Sequence, residues 1–239
     1  MRLSLILVAL FVFSSATLRA ELPRTELPAT VAAGKGAIEG TVTYQPDAKR
    51  PWRYSRYYVK NRKNGQLAEA VVAISGGGLK RTAEAAEPQT HVVNQKDFRF
   101  DPETIAIRAG DSVKFRNSDN GVHNVRANHA LQSFNVNMLS GREHIESFPK
   151  AGGLQNPYRI GCDYHSSMRA WIFVIAHPYF QITGPDGKFR LNNVPPGEYT
   201  IDVAHPAGEF SWSGKVAVTA DQVTQLDIRL TPDDKSSTK

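Results

Sequence analysis

Period-two alternation of apolar and polar positions dominates the chain. GAIEGTVTY (36–44) predicts one strand, and EAVVAIS (69–75) predicts a second, closed by Gly76, Gly77 and Gly78. After a linker at RTAEAAEPQT (81–90) the pattern becomes dense. DFRF (97–100), TIAIR (104–108), SVKFRN (112–117) and an extended run from Val122 to Arg126 follow in turn. They are separated by turn formers at Asp101-Pro102, Ala109-Gly110 and NSDNG (117–121). Alternation in the last run puts His123 and Val125 on one face, with Val122 and Asn124 on the other. HIESF (144–148) and YRIG (158–161) continue the series. RAWIFVIA (169–176) is apolar almost throughout, as a strand covered on both faces would be.

The texture changes again from His177. Two short strands are expected around Pro185-Asp186-Gly187, then an alternating strand after Val-Pro-Pro-Gly-Glu-Tyr, then a hairpin-like pair at 214–230 around Ala220-Asp221. No segment repeats with a helical period, so the fold class is all-β. A length of 239 residues suffices for one large β domain or two small ones, each with its own core.

The first twenty residues stand apart. Arg2, an apolar run from Leu3 to Phe13 and then small residues make a secretory signal peptide, cut after Ala16 or Ala20. The run is too short to span a bilayer comfortably, and no later run approaches that length. The mature protein is therefore expected to be exported, with no integral membrane segment. Residues 21–35 read as a flexible leader and 232–239 as a polar tail.

Charge changes the picture little. The formal +6 falls to +4 once Arg2 and Arg19 are removed, which favours an acidic partner and is no nucleic-acid signature. The basic charge is concentrated at 47–65, where seven Lys or Arg face one Asp among Trp52, Tyr54, Tyr57 and Tyr58. One reading is a docking patch for an anionic partner. The favoured reading is a twisted, solvent-facing connection whose rings pack on a sheet.

The chemistry gathers between 157 and 176, in YRIGCDYHSSMRAWIFVIAH. Cys162 is the only cysteine of the chain, so in an exported protein it has no internal disulfide partner. A metal ligand role would protect it from oxidation. Inert burial is the alternative, and Asp163, Ser166 and Ser167 make an apolar niche less fitting. A thiolate, an imidazole (His165) and a thioether (Met168) within seven residues suit a soft, redox-active metal, which points to copper. His123 is the candidate for a second imidazole. Among the other histidines, His129 is the best spare, while His91, His144, His177 and His205 read as surface or structural residues. Met138 lies outside the loop and is a lesser rival to Met168.

The stretch from Val92 to Ala176 resembles the cupredoxins, the plastocyanin and amicyanin-like blue copper proteins. The resemblance rests on FRFDPETIAIRAGDSVKFRNSDNGVHNV and on the short C-x-x-H-x-x-M loop of the amicyanin type. It implies a Greek-key sandwich with one mononuclear Cu(I)/Cu(II) ion held by His123, Cys162, His165 and Met168. It also implies that Asn124 ties the two ligand loops together by hydrogen bonds. Asp163-Tyr164 stands where the family usually has Thr-Pro or similar. Asp163 beside the thiolate is expected to lower the reduction potential. Ser166 and Ser167 are expected to thin the apolar patch through which cupredoxins dock.

DGKFRLNNVPPGEYTIDVAHP resembles the carboxypeptidase regulatory-like, transthyretin-type sandwich, and GAIEGTV and AEAVVAI look like its first strands. The expected organisation is a cupredoxin at 84–178, inserted in or packed beside a sandwich built from 36–80 plus 179–231. The expected function is a monomeric, periplasmic carrier of single electrons between redox protein partners, with no catalysis of its own. The alternatives are a copper-binding or delivery protein that does not cycle, and a metal-free carbohydrate-binding or adhesion module.

Overall fold

A computed structural model of the chain describes residues 34–45, 49, 59–61, 64–75, 79, 87–205 and 210–234. The expected signal peptide, nearly all of the expected leader and most of the basic stretch at 47–65 lie outside these residues. Before the central segment come β1 (Gly36–Tyr44), β2 (Val59–Asn61), β3 (Gln66–Leu67) and β4 (Val71–Ser75). The central strands are β5 (Thr90–Lys96), β6 (Arg99–Asp101), β7 (Thr104–Arg108), β8 (Ser112–Asn117), β9 (His123–Ala127), β10 (Phe134–Met138), β11 (Glu143–Ser147), β12 (Tyr158–Gly161) and β13 (Arg169–Ile175). After them come β14 (Phe180–Ile182), β15 (Lys188–Val194), β16 (Gly197–His205), β17 (Phe210–Val218), β18 (Val223–Gln225) and β19 (Ile228–Leu230). No helix occurs among the described residues, so none is long and apolar enough to cross a membrane.

The central strands make two facing sheets. One runs β10-β9-β12-β13-β7 and the other β11-β8-β5-β6. The chain crosses between them repeatedly, leaving β7 parallel to β13 and β5 parallel to β8, in the crossed manner of a Greek key. Their inner faces close over Val93, Phe100, Ile107, Val113, Phe115, Val125, Phe148, Tyr158, Ile160, Ile172 and Val174.

Strands from both sides of this segment build a second pair of sheets. One sheet centres on β1, flanked by β15 and β3-β2 and also paired in parallel with β18 and β19; the other runs β14-β4-β16-β17. At two expected turns the flanking strands separate into different sheets, and for one of these turns the sequence predicts a hairpin-like pair. β14 and β15 flank Pro185-Asp186-Gly187 but belong to opposite sheets, so the turn is a corner rather than a ladder. Gly187 sits there at φ +71° against the Val42 carbonyl, a conformation and a closeness that favour glycine. Likewise β17 and β18 do not pair, because β18 crosses to β1. Alternation encodes which face of a strand is buried, not which neighbour it finds, and these strands satisfy their apolar face in either position.

A third, smaller core joins the two pairs of sheets. Phe173 and Ile175 of β13 turn away from the central core and pack with Val71, Ala73 and Ala204, backed by Ala106, Trp171, Phe180 and Ile182. Alternate residues of β13 thus face two different cores, which accounts for its nearly continuous apolar sequence. Both sandwiches fall in one compact unit.

Candidate metal centre

His123 opens β9 and Cys162 follows β12, and these strands pair side by side (Gly161 opposite Arg126). The pairing brings the two residues to the same end of the five-stranded sheet. From Cys162 the chain turns back through His165 and re-enters the sheet as β13, with the Met168 amide donating to the His165 carbonyl at 3.0 Å. His123 is fully buried, Cys162 nearly so, and His165 half-buried. The Nδ1 atoms of His123 and His165 lie 3.1 Å apart, and Cys162 Sγ lies 3.7 Å from His165 Nδ1. All three ligand atoms fall within 4.8 Å of one another. Metal bonds of about 2.0 Å to nitrogen and 2.3 Å to sulfur give ligand edges of about 3.3–3.8 Å, so the donor set fits one ion. Met168 is buried in the same core as Cys162.

The outward nitrogen of His123 decides its tautomer. Its Nε2–H donates to Asp119 Oδ2 at 2.7 Å, which leaves the Nδ1 lone pair pointing at His165 and Cys162. Asp119 also accepts the backbone amides of Asp97 (2.8 Å) and Phe98 (3.1 Å). Burial would raise its pKa, but the His123 hydrogen bond and these two amides outweigh that and hold it below the ordinary carboxylate value. Asn117, fully buried, shapes the loop that carries Asp119: its Nδ2 donates to the Gly121 and Met138 carbonyls at 2.8 Å, and its Oδ1 accepts the Asp119 amide. Neither residue stands out in the sequence, where NSDNG reads only as a turn. The available signal is a carboxylate four positions before a candidate ligand.

Asp97 and Phe98 form the two-residue turn between β5 and β6, at φ +52° and +58°. That is the left-handed geometry a tight hairpin demands, and it is unusual for a bulky phenylalanine. The Phe98 ring meets both imidazoles edge-on, with centroids 5.5 Å from His123 and 4.9 Å from His165, yet remains 55% exposed. Val122, Leu139 and Tyr164 are exposed as well. The apolar surface near the site therefore comes from three other segments and from Tyr164, although Ser166 and Ser167 leave the loop itself polar.

Asn124 is buried. Its amide donates to Cys162 Sγ at 3.3 Å, and its Oδ1 accepts the Asp163 amide at 3.4 Å, so it links the two loops. Asp163 is no lone charge beside sulfur: Arg126 Nε meets its Oδ1 at 2.6 Å. The potential-lowering effect expected of Asp163 is therefore partly offset. The remaining histidines stay apart from the cluster. His129 stacks on Tyr158 at 3.9 Å, His91 meets Asp111, His144 meets Glu146, and His177 and His205 lie in the second sandwich. Met138 is buried opposite His123 in the β9–β10 ladder.

Residues 177–231 match the family model of the carboxypeptidase regulatory-like domain. Comparison with curated proteins finds no match by sequence. Among solved structures, amicyanin from Paracoccus versutus is similar at 20% identity, with 43% of this chain and 96% of that chain covered and a TM-score of 0.32. The copper-containing nitrite reductase of Thermus scotoductus SA-01 matches at 23% identity, with 43% of this chain but only 25% of that chain covered (TM-score 0.34). A purple cupredoxin from Nitrosopumilus maritimus matches at 18% identity, with 35% and 98% covered (TM-score 0.30).

Proposed function

We propose that this protein is an exported, periplasmic carrier of single electrons, with a cupredoxin domain inserted into a carboxypeptidase regulatory-like sandwich. One copper ion would be held by His123, Cys162 and His165, with the Met168 thioether as a weak fourth ligand. The observation that carries this reading is the convergence of Cys162 Sγ and two imidazole Nδ1 atoms, the His123 tautomer being fixed by Asp119. A thiolate with two imidazoles and a distant thioether supports both Cu(I) and Cu(II), so such an ion takes up and releases one electron with little rearrangement.

The chain's own residues serve that cycle in distinct ways. β13, buried on both faces, anchors one end of the ligand loop. The Asn124 amide offers a hydrogen bond to the sulfur, stabilising the thiolate. Asp119 keeps the His123 lone pair available. Phe98 covers the imidazoles from the solvent side, and with Val122 and Tyr164 it offers an apolar landing surface for a redox protein partner. The net positive charge favours a partner with an acidic rim. The chain works as a monomer and assigns no residue to catalysis.

Stepwise reduction and reoxidation of the copper-loaded protein tests this. The expected result is a reversible one-electron wave carried through repeated cycles. A protein that binds Cu(I) stoichiometrically but does not cycle would be a delivery protein, and one that binds neither ion would leave the apolar surface to an adhesion module.

A further inference from the structure

The outer face of the β9–β10 ladder carries a chain of amide side chains beyond Asn124. The antiparallel register sets Asn137 opposite Asn124 and Asn135 opposite Arg126, so all four project to the same side. Asn124 Nδ2 donates to Asn135 Oδ1 and, at 3.3 Å, to Asn137 Oδ1. Asn135 Nδ2 donates to Asp163 Oδ2 at 3.0 Å, and the Tyr164 hydroxyl donates to Asn137 Oδ1 at 2.9 Å. Both side-chain N–H groups of Asn124 are engaged by these contacts, with Asn135 and Asn137, and its oxygen holds the Asp163 amide.

We propose that Asn135 and Asn137 are positioning residues for the candidate metal loop, clamping Asp163 and Tyr164 to strand β10 and so fixing Cys162 and His165. The two clamped residues stand where this chain departs from the cupredoxin pattern, and the clamp lies on a strand outside the loop that carries Cys162, His165 and Met168. A carboxylate and a tyrosine at these positions would otherwise leave the loop free to swing outward. Two asparagines on a neighbouring strand give each of them a fixed partner. Asn135, with Arg126, also offsets the Asp163 charge, so the clamp sets charge as well as position. The part of the inference that concerns copper rests on the function proposed above; the clamp itself does not.

Asn135 and Asn137 are exposed, so their replacement leaves the cores intact. In the full-length, metal-free protein, amide hydrogen exchange at Asp163 should accelerate at least about five-fold in Asn135→Ala, which removes the bond to Asp163 and the one from Asn124. The acceleration should be greater in Asn135→Asp, which removes the donor and sets a second carboxylate against Asp163. The amides of Ile172 and Val174 in β13 should be unaffected. In the copper-loaded protein, Asn135→Ala should lower the reduction potential, because the Asp163 carboxylate is then less well neutralised. Asn137→Ala should shift the thiolate-to-copper absorption band without a change in net charge. Unchanged exchange at Asp163 in both Asn135 variants overturns the clamp, whatever the metal does. Accelerated exchange in a protein that shows no copper band upholds the clamp and contradicts only the copper reading. Accelerated exchange with an unmoved potential and band overturns the claim that the clamp positions the metal ligands.

Discussion

The two sandwiches solve the same packing problem and handle buried polar groups in opposite ways. In the flanking sandwich the buried polar side chains among the described residues are Thr183 and His205, and Thr183 is used up locally. Thr183 donates to the Leu67 carbonyl at 2.7 Å and accepts the Ala70 amide, stitching one corner of the fold. His205 is fully buried at the end of β16. The central sandwich also buries Thr104, Asp111 and His129 elsewhere, but it gathers Gln95, Asn117, His123 and Asn124 together at one end, around a thiol. Gln95 Nε2 donates to the Asn124 carbonyl at 3.0 Å, so even the support of that end is made of side chains. Burying a polar group without a partner is costly, and gathering several in one place calls for a connected network. One sandwich uses polar burial to close a corner, the other to hold donor atoms in a fixed arrangement.

The largest effect that separates the two regions should come from Cys162→Ser. It should abolish the thiolate-to-copper absorption band while leaving the flanking sandwich folded, as circular dichroism and a urea melt would report. Next is the core the two regions share. Phe173→Ala should cost about 3–5 kcal/mol and lower the urea midpoint of both regions at once. Separate transitions, followed through Trp212 in one sandwich and Trp171 at the seam, would show instead that the shared core does not couple them.

Acid should act first through the flanking sandwich. Burial pushes His205 from 6.5 down to about 4, against backbone hydrogen bonds that include one to Ala68. The unfolded chain therefore binds a proton that the folded chain refuses. Stability contributed by neutral His205 is complete above pH 6.5 and falls by about 3 kcal/mol as the pH drops from 6.5 towards 4. His205→Gln should flatten that part of a pH series of urea melts. A smaller effect is expected at Asp119→Asn, which removes the charge and one of the two accepting oxygens of the carboxylate that fixes the His123 tautomer. Copper affinity should drop about 10–100-fold by competition titration, with the melting temperature little changed. Smallest of all is the exposed Lys114–Glu143 pair at 3.4 Å, where Glu143→Gln should cost less than about 1 kcal/mol.

Much of this could be read from the chain because its signals are local. Alternation placed the strands at 36–44, 104–108 and 112–117, and the unbroken apolar run at 169–176 announced a strand with two covered faces. Cys162, His165 and Met168 could be picked out together because they share one short loop. His123 needed a family resemblance to join them, since its link to Cys162 is strand pairing across some forty positions. Asp119, Phe98 and Asn135 carried no comparable signal. Asp119 matters only because its loop bends back over His123, Phe98 because a left-handed turn aims its ring at the imidazoles, and Asn135 because the register of β10 sets it beside Asp163. Pairing between distant strands is fixed by the whole fold, so residues that act through it stay silent until the register is known. The hairpin-like pair expected at 214–230 failed for the same reason: β17 and β18 lie in opposite sheets, β17 beside β16 and β18 beside β1.

The most direct test is titration of the mature, metal-free protein with Cu(II), followed by visible absorption and electron paramagnetic resonance. The expected result is one ion per chain, an intense thiolate-to-copper band and narrow copper hyperfine splitting. A colourless complex, or one whose spectrum persists in Cys162→Ser, would contradict the proposed copper site.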